Sequence, residues 1–328
     1  MPRSGSKVTR RRFLSIAATS AVGLVSRPAA AASVAWRGVA LGAEAQIKLV
    51  HVDKEFARHI IKRCAIEIDR LENIFSLYRP ASTLVRLNRA GAVRDPEIEF
   101  VELLSTAVQI SRETAGAFDI SVQSLWQLYA DHFSEPDADP AGPSAALIRQ
   151  ALSRVGYTGV QVSPTTVVLD QAGMALTLNG IAQGFVTDRI RQLLQRNGFS
   201  NVLVHIGETH GSGLKSDGTP WLAGIADPDQ PDRLIKRVAL QDMSLATSSG
   251  AGYRFGRSNK HHLFDPRTGE CSQRYRSISV AAPSATLADA FSTAFANMSV
   301  AAIKQVVAKR RDLRAIIVDP SGNVTDYA

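Results

Sequence analysis

One segment constrains the fold more than any other. From Lys54 onward, Phe56, Ile60, Cys64, Ile68, Leu71 and Phe75 recur at three- and four-residue spacing, which puts them on one face of a long amphipathic helix. Such a helix must bury that face against a sheet or other helices. Its surroundings supply both. Residues 39–50 alternate loosely and predict a strand. Residues 97–114 predict a second helix. The Pro-, Asp- and Ser-rich stretch 134–144 is a surface loop, followed by a short helix over 145–155. Short strands follow over 159–162, 166–169 and 174–178, then a helix over 180–196 and a strand over 202–206. Strands at 221–226 and 234–240 neighbour each other across a turn at 227–232. Helices over 286–298 and 300–310 precede a last strand, 315–318. Strands and helices mix without a regular βαβ alternation, so the expected class is α+β, mainly antiparallel sheet with packed helices, rather than doubly wound.

The N-terminus reads as an address. Thr9-Arg10-Arg11-Arg12-Phe13-Leu14 is a twin-arginine pattern, followed by a modestly apolar run from Leu14 to Val25 and small residues Ala29 to Ala32. This predicts a signal peptide over residues 1–32, cleaved near Ala32–Ser33, and export of a folded protein to a bacterial periplasm. The run is shorter than the about 20 residues a membrane span needs. Residues 1–32 contain Arg3, Lys7, Arg10, Arg11, Arg12 and Arg27 and no acidic residue, so the formal charge of +8 falls to +2 without them. The high pI therefore belongs mostly to the leader. No remaining basic run is interleaved with aromatics, which argues against a nucleic-acid groove. Residues 33–328 are long enough for a single large domain. The two cysteines, Cys64 and Cys271, form no C-x-x-C motif; Cys64 falls on the apolar face of its helix, and a disulfide between them is permitted but not required.

The familiar phosphate loops G-x-G-x-x-G and G-x-x-x-x-G-K-[ST], and the nucleophile elbow G-x-S-x-G, are absent. Five other segments carry chemistry. In Ala281–Ala294, AAPSATLADAFSTA, Asp289 and Thr293 stack four residues apart on one helix face, offering two hard oxygens to Mg²⁺ or Ca²⁺. The same segment also reads as a helix start, with Thr286 and Asp289 as a capping box or Ser284 as the cap. Residues 75–91, FSLYRPASTLVRLNRAG, contain Tyr78, which either stacks on an aromatic ligand or is structural. Ala117-Phe118-Asp119 follows a tight turn. Residues 176–188, LTLNGIAQGFVTD, run a strand through Asn179-Gly180 into a helix, whose free N–H donors suit phosphate; a plain glycine turn reads equally well. His261-His262-Leu263-Phe264-Asp265-Pro266-Arg267-Thr268-Gly269 contains adjacent histidines that point different ways, one of which beside a carboxylate suits a general base.

Taken in order, the segments FSLY, AFD, NGIAQG, ATSSG, HHLFDPRTG and APSATLADAFSTA resemble the FAD:protein FMN transferase (ApbE) family over essentially the whole of residues 33–328. The resemblance implies an ApbE-like fold and the use of FAD with Mg²⁺ to place FMN on a Thr or Ser hydroxyl of an acceptor protein, releasing AMP. It places the flavin nucleotide at Leu41, Tyr78, Ala117, Phe118, Asp119, Thr177, Gln183 and Leu263. It places the metal at the Gly180 carbonyl, Asp289 and Thr293. His262, with Asp265 nearby, is the candidate base. The chain departs from the family pattern at Gln183 (usually Lys), Thr177 (usually Asp) and Leu41 (usually Met). Gly207-Glu208-Thr209-His210 stands where Gly-Gly-Asp is common, as if an ion pair had been replaced by neutral groups. Such variants are similar to exported members linked to maturation of nitrous-oxide reductase, implying as acceptor a membrane-bound electron-transfer protein with an exposed Thr/Ser loop. The same departures also fit a protein that binds FAD without transferring it, and a non-enzymatic maturation chaperone is a third class.

Overall fold

A computed structural model describes residues 33–50 and 53–328; the leader expected over 1–32 lies outside them. Strands β1 (Ser33–Ala40) and β2 (Ala43–Val50) form a hairpin in full antiparallel register. The single strand expected over 39–50 is thus interrupted at Leu41-Gly42, where φ is 48° and 80°. That mirror-image turn matches strand twist but is rarely built with leucine. Here the Leu41 N–H donates to the Glu72 carboxylate, a tertiary contact that no turn signal announces.

Helix α1 (Lys54–Phe75) starts at Asp53, whose carboxylate accepts from the Glu55 and Phe56 N–H groups, both at 3.0 Å. Its buried face includes Ile60, Cys64, Ile68, Leu71 and Phe75, as the spacing predicts. Phe56 lies at its margin and stacks on Phe199. Next come α2 (Thr83–Ala90), β3 (Ala92–Arg94), α3 (Ile98–Glu113), α4 (Gln123–His132), α5 (Ala145–Leu152), β4 (Val160–Val162) and β5 (Thr166–Leu169). β3, β5 and β4 make a small antiparallel sheet. No strand forms over 174–178. The Asn88 side-chain amide instead binds both backbone groups of Leu176, at 2.7 and 2.8 Å, and the Thr177 N–H donates to the Ile120 carbonyl at 2.7 Å. The alternating pattern there reflects burial of Met174, Leu176 and Leu178, which a side-chain-held extended segment satisfies as well as a sheet does.

The second half runs α6 (Ala182–Arg196), β6 (Val202–Ile206), β7 (Glu208–Ser212), β8 (Trp221–Asp227), β9 (Gln230–Leu240), β10 (Met243–Ser248), β11 (Ser277–Ala282), α7 (Ala285–Phe295), α8 (Val300–Lys309), β12 (Arg314–Val318) and β13 (Val324–Tyr327). The principal sheet has eight strands in the order β1-β2-β6-β7-β10-β11-β12-β13, each antiparallel to its neighbour. One face of the sheet packs on the helices, through residues such as Ile47, Val204, Val280 and Ile317 against Ile60, Val186, Phe291 and Ile303. The β8–β9 hairpin covers the other face, where Trp221, Ile225, Val238 and Leu240 meet Leu203, Leu245, Ala281 and Ile316. β7 and β11 are buried at every position, between the two layers. A third apolar cluster joins α4 and α5 to the loop after β10 through Tyr129, Ile148, Phe255 and Phe264. Cys64 and Cys271 are both buried and both free. Among the described residues no helix is long and apolar enough to cross a membrane.

Candidate active site

Helices α6 and α7 cross with almost no clearance. A Cβ on Gly184 would lie 2.3 Å from the Ala285 carbonyl oxygen, so only glycine permits the approach. The crossing lets each helix cap the other. Asp188, on α6, accepts from Ala285 N, Thr286 N and the Ser284 and Thr286 hydroxyls at 2.7–3.0 Å. Asp289, on α7, accepts from Gly184 N at 3.1 Å, serving one of the orphan donors at the start of α6. The Thr286/Asp289 capping box does not form. Ser284 is the cap residue of α7, and Asp289 caps its neighbour.

Gly180 precedes α6, and a Cβ there would sit 2.7 Å from the Thr293 hydroxyl. The backbone of the turn therefore lies against Thr293, one turn beyond Asp289. Gly180, Asp289 and Thr293 are brought together as the sequence implies, in the wall of one cleft. The same cleft is lined by Ala117, Phe118, Asp119, Thr177, Gln183, His262 and Leu263. Leu41 and Tyr78 line a smaller adjoining pocket that shares Asn179 and Gln183 with it. Asn179 and Gln183 thus mark the junction between the two.

The cleft has an apolar end and a polar end. At the apolar end, Ala115 and Gly116 take positive φ (50° and 76°) and turn Ala117-Phe118 into the wall. Asp119 anchors that turn. Its carboxylate accepts from Ser121 N (2.8 Å), Ser121 Oγ (2.6 Å) and Tyr157 N (2.8 Å). Burial still raises its pKa against these hydrogen bonds. Asn297 ties the opposing walls, its amide donating to the Ala117 carbonyl at 3.2 Å and the Phe264 carbonyl at 2.9 Å. Its Oδ1 has no partner within the protein.

His262 lines the same cleft. Its Nδ1 lies 3.2 Å from the Tyr253 carbonyl oxygen. A carbonyl only accepts, so Nδ1 carries the proton and Nε2 keeps its lone pair. Burial lowers the His262 pKa, more than the Tyr253 carbonyl raises it, which favours the neutral, base-competent ring. Asp265 does not assist it. Its carboxylate is engaged by Arg267, through Nε at 2.8 Å and a terminal nitrogen at 2.7 Å. Burial raises its pKa, but the Arg267 hydrogen bonds and charge outweigh that and leave it lowered. The base–carboxylate pairing expected from sequence is therefore replaced by a backbone carbonyl; the Asp-Pro-Arg-Thr-Gly run makes a turn that consumes its own carboxylate. His261 faces the other way. It is buried, exchanges contacts with Cys271 through its backbone N–H and carbonyl, and burial lowers its pKa to about 4.

Two residues of the site were not singled out as site residues from sequence: Asn297 and Glu208. Glu208, the first residue of β7, lines the polar end and is buried. Strand alternation puts Glu208 and His210 on the helix side of the sheet and Thr209 opposite. The ion pair that the sequence reads as wholly neutralised is therefore only half lost: Gln183 is neutral, while a carboxylate persists at 208. Gln183 packs on Gly207, whose φ of 73° and lack of Cβ admit the amide. Burial raises the Asp289 pKa to about 7. Burial, then the Asp289 charge, raises that of Glu208 well above the carboxylate range. Asp119, Glu208 and Asp289 line the cleft, with no Lys or Arg among the described lining residues.

A cleft so built takes a ligand that is flat and apolar at one end and, once a cation is supplied, anionic at the other. The Gly180 carbonyl, the Asp289 and Glu208 carboxylates and the Thr293 hydroxyl are all hard oxygens, the donor type Mg²⁺ takes. Among the described residues no three His, Cys, Asp or Glu side chains converge as a ready-made cage, so backbone and hydroxyl oxygens must complete any such set. The fold is α+β, and its cleft joins an apolar wall to a cluster of hard oxygens. The chain belongs to the ApbE family, whose model matches residues 41–317. It is 32% identical over 254 residues to the FAD:protein FMN transferase of Treponema pallidum, covering 69% of this chain and 68% of that one. It is 25% identical over 292 residues to the FAD:protein FMN transferase of Klebsiella pneumoniae, covering 85% and 82%. The ApbE protein of Thermotoga maritima superposes with a TM-score of 0.80 at 27% identity, over 90% of this chain and 97% of that one. The flavin transferase ApbE of Vibrio cholerae gives a TM-score of 0.78 at 24% identity, over 91% and 97%.

Proposed function

We propose that this chain is an FAD:protein FMN transferase that joins the FMN half of FAD to a Thr or Ser hydroxyl of an acceptor protein and releases AMP. The observation that carries this reading is the position of His262. With Nδ1 on the Tyr253 carbonyl its Nε2 keeps a lone pair, and the ring lines the same cleft as Phe118 and Leu263, and as Asp289 and Thr293. The isoalloxazine ring occupies the slot made by Ala117, Phe118 and Leu263. Leu41 and Tyr78 border the adjoining pocket beyond Gln183. The acceptor hydroxyl gives its proton to His262 Nε2 as its oxygen bonds the FMN-side phosphorus, and the bridging oxygen leaves with AMP. Gly180, Asp289 and Thr293 would hold Mg²⁺, which supplies Lewis-acid neutralisation of the pyrophosphate. The start of α6 adds N–H donors to the same charge.

The twin-arginine pattern supports a reaction in the periplasm, where FAD would bring its own activated phosphoryl bond and residues 33–328 would act as a single transferase domain. An exposed Thr/Ser loop on a membrane-bound electron-transfer protein of nitrous-oxide respiration is the acceptor we favour. The test is incubation of the protein with FAD, Mg²⁺ and such an acceptor, read by intact-mass spectrometry. The expected result is an FMN adduct on the acceptor with stoichiometric AMP, abolished by EDTA. Bound FAD that stays intact with every acceptor would favour a flavin carrier instead. Fractionation of cells expressing the full chain checks the compartment: retention in the cytoplasm after Arg11 and Arg12 are changed to Lys is expected.

A further inference from the structure

Glu208 has a feature that the transferase chemistry leaves unused. Its side chain is 95% buried, at 5% relative exposure, and it lines the polar end of the cleft with Asp289. The Thr247 backbone N–H serves its carboxylate, yet Oε2 has no partner in the protein. A buried carboxylate oxygen left without a donor is strongly unfavourable. A second carboxylate close by makes it more so. Neither Lys nor Arg lines the described cleft to compensate, and Gln183, the side chain best placed to do so, is a neutral amide packed on Gly207. A proton shared with Asp289, whose Oδ2 already accepts from Gly184, would satisfy that oxygen only by removing one of the two charges. The group that satisfies both carboxylates in their ionised form is a hard cation.

We propose that Glu208 is a further ligand of the divalent cation, facing Asp289 across the polar end, so that two carboxylates hold the cation rather than one. This rests on the metal-dependent reading above and extends it to a residue which that reading does not use. A two-carboxylate site binds a divalent cation before the nucleotide arrives. The charge at 208 thereby keeps the cation in place where a lysine at 183 would otherwise have bound phosphate directly.

Metal-free protein titrated with Mn²⁺ in the absence of FAD, followed by the free-Mn²⁺ EPR signal, tests this. Thermal unfolding with and without Mg²⁺ runs in parallel. The wild type is expected to bind Mn²⁺ and to gain melting temperature with Mg²⁺. Glu208→Gln should weaken Mn²⁺ binding by about tenfold or more, a loss of about 1.4 kcal/mol or more, and shrink the Mg²⁺-induced shift. Its metal-free melting temperature should equal or exceed the wild type's, which shows that the variant is folded. Glu208→Asp, with the charge kept on a shorter arm, should bind with intermediate affinity. Mn²⁺ binding by Glu208→Gln equal to wild type, while Asp289→Asn has lost it, would overturn the proposal and leave the metal reading standing. No Mn²⁺ binding by the wild type would overturn both.

Discussion

At the scale of single residues, His262 and Gly180 make the sharpest claims. His262→Ala should lower transfer about 10²–10⁴-fold, the range for loss of a positioned base, while FAD still binds, since the flavin slot is built by other residues. Comparing kcat with the FAD Kd from fluorescence quenching checks the split. Because burial places the His262 pKa below its ordinary value, the ring is protonated and inactive only in acid. kcat/KM should rise with pH through a pKa below 6.5 and stay level to pH 8. A rise centred at or above 7 in a stopped assay would count against His262 as base. Gly180→Ala puts a methyl 2.7 Å from the Thr293 hydroxyl. That overpacking should destabilise the fold by about 1–3 kcal/mol in urea unfolding and displace Thr293 from the site. The positions that sequence missed at this scale share a cause. Glu208 and Asn297 matter because of what they face, and facing is set by strands and loops distant in the chain. His262 and Asp289 were legible because they sit in dense local patterns. Asp265 belongs to the same pattern, and there local pattern misled: its neighbour Arg267 takes the carboxylate.

At the scale of elements, the reciprocal caps of α6 and α7 separate structure from chemistry. Asp188 holds four donors at the head of α7 and touches no part of the cleft. Asp188→Ala should destabilise the protein by roughly 2–4 kcal/mol. Asp289→Asn behaves oppositely. Its amide oxygen can still accept from Gly184, and it removes one of two like charges, so metal-free stability should hold or rise while divalent-cation binding falls. Equilibrium urea curves on both variants, with and without Mg²⁺, measure the contrast. Helix α1, α3 and α6–α8 were readable because amphipathic period survives in the linear chain. The hairpin turn at Leu41 was not, because a glutamate thirty-one residues away stabilises it. The extended segment 174–178 was mistaken for a strand because alternation reports burial, not hydrogen-bond partners.

At the scale of the whole molecule, buried histidines make the fold acid-sensitive. Burial lowers the pKa values of His205, His210 and His261 to about 4. Between that value and the unfolded value of about 6.5, the unfolded chain binds more protons than the native one. Stability therefore rises with pH across this window and is lost as pH falls through it. The raised Asp289 pKa acts in the opposite sense, stabilising at low pH and fading as pH rises toward about 7. With saturating Mg²⁺ holding the carboxylates ionised, the histidine contribution should dominate, and urea midpoints should drop steadily from pH 6.5 to pH 4. A flat profile would show that these rings are hydrated in solution. The α+β class and antiparallel preference were visible from the irregular succession of elements. The eight-strand order was not, since β7, β10 and β11 are short and mix polar with apolar residues without a clear strand alternation.

The contact at Gly184 decides which side of the cleft can adapt. With the Ala285 backbone against it, the α6–α7 wall behaves as masonry: nothing in it can slide without parting two helices. The opposite wall, from Tyr253 to Pro266, hangs on ring-to-ring contacts among Trp126, Tyr129, Phe255 and Phe264, which can tilt and reseat. Any widening of the cleft therefore falls to that side rather than to the helix crossing.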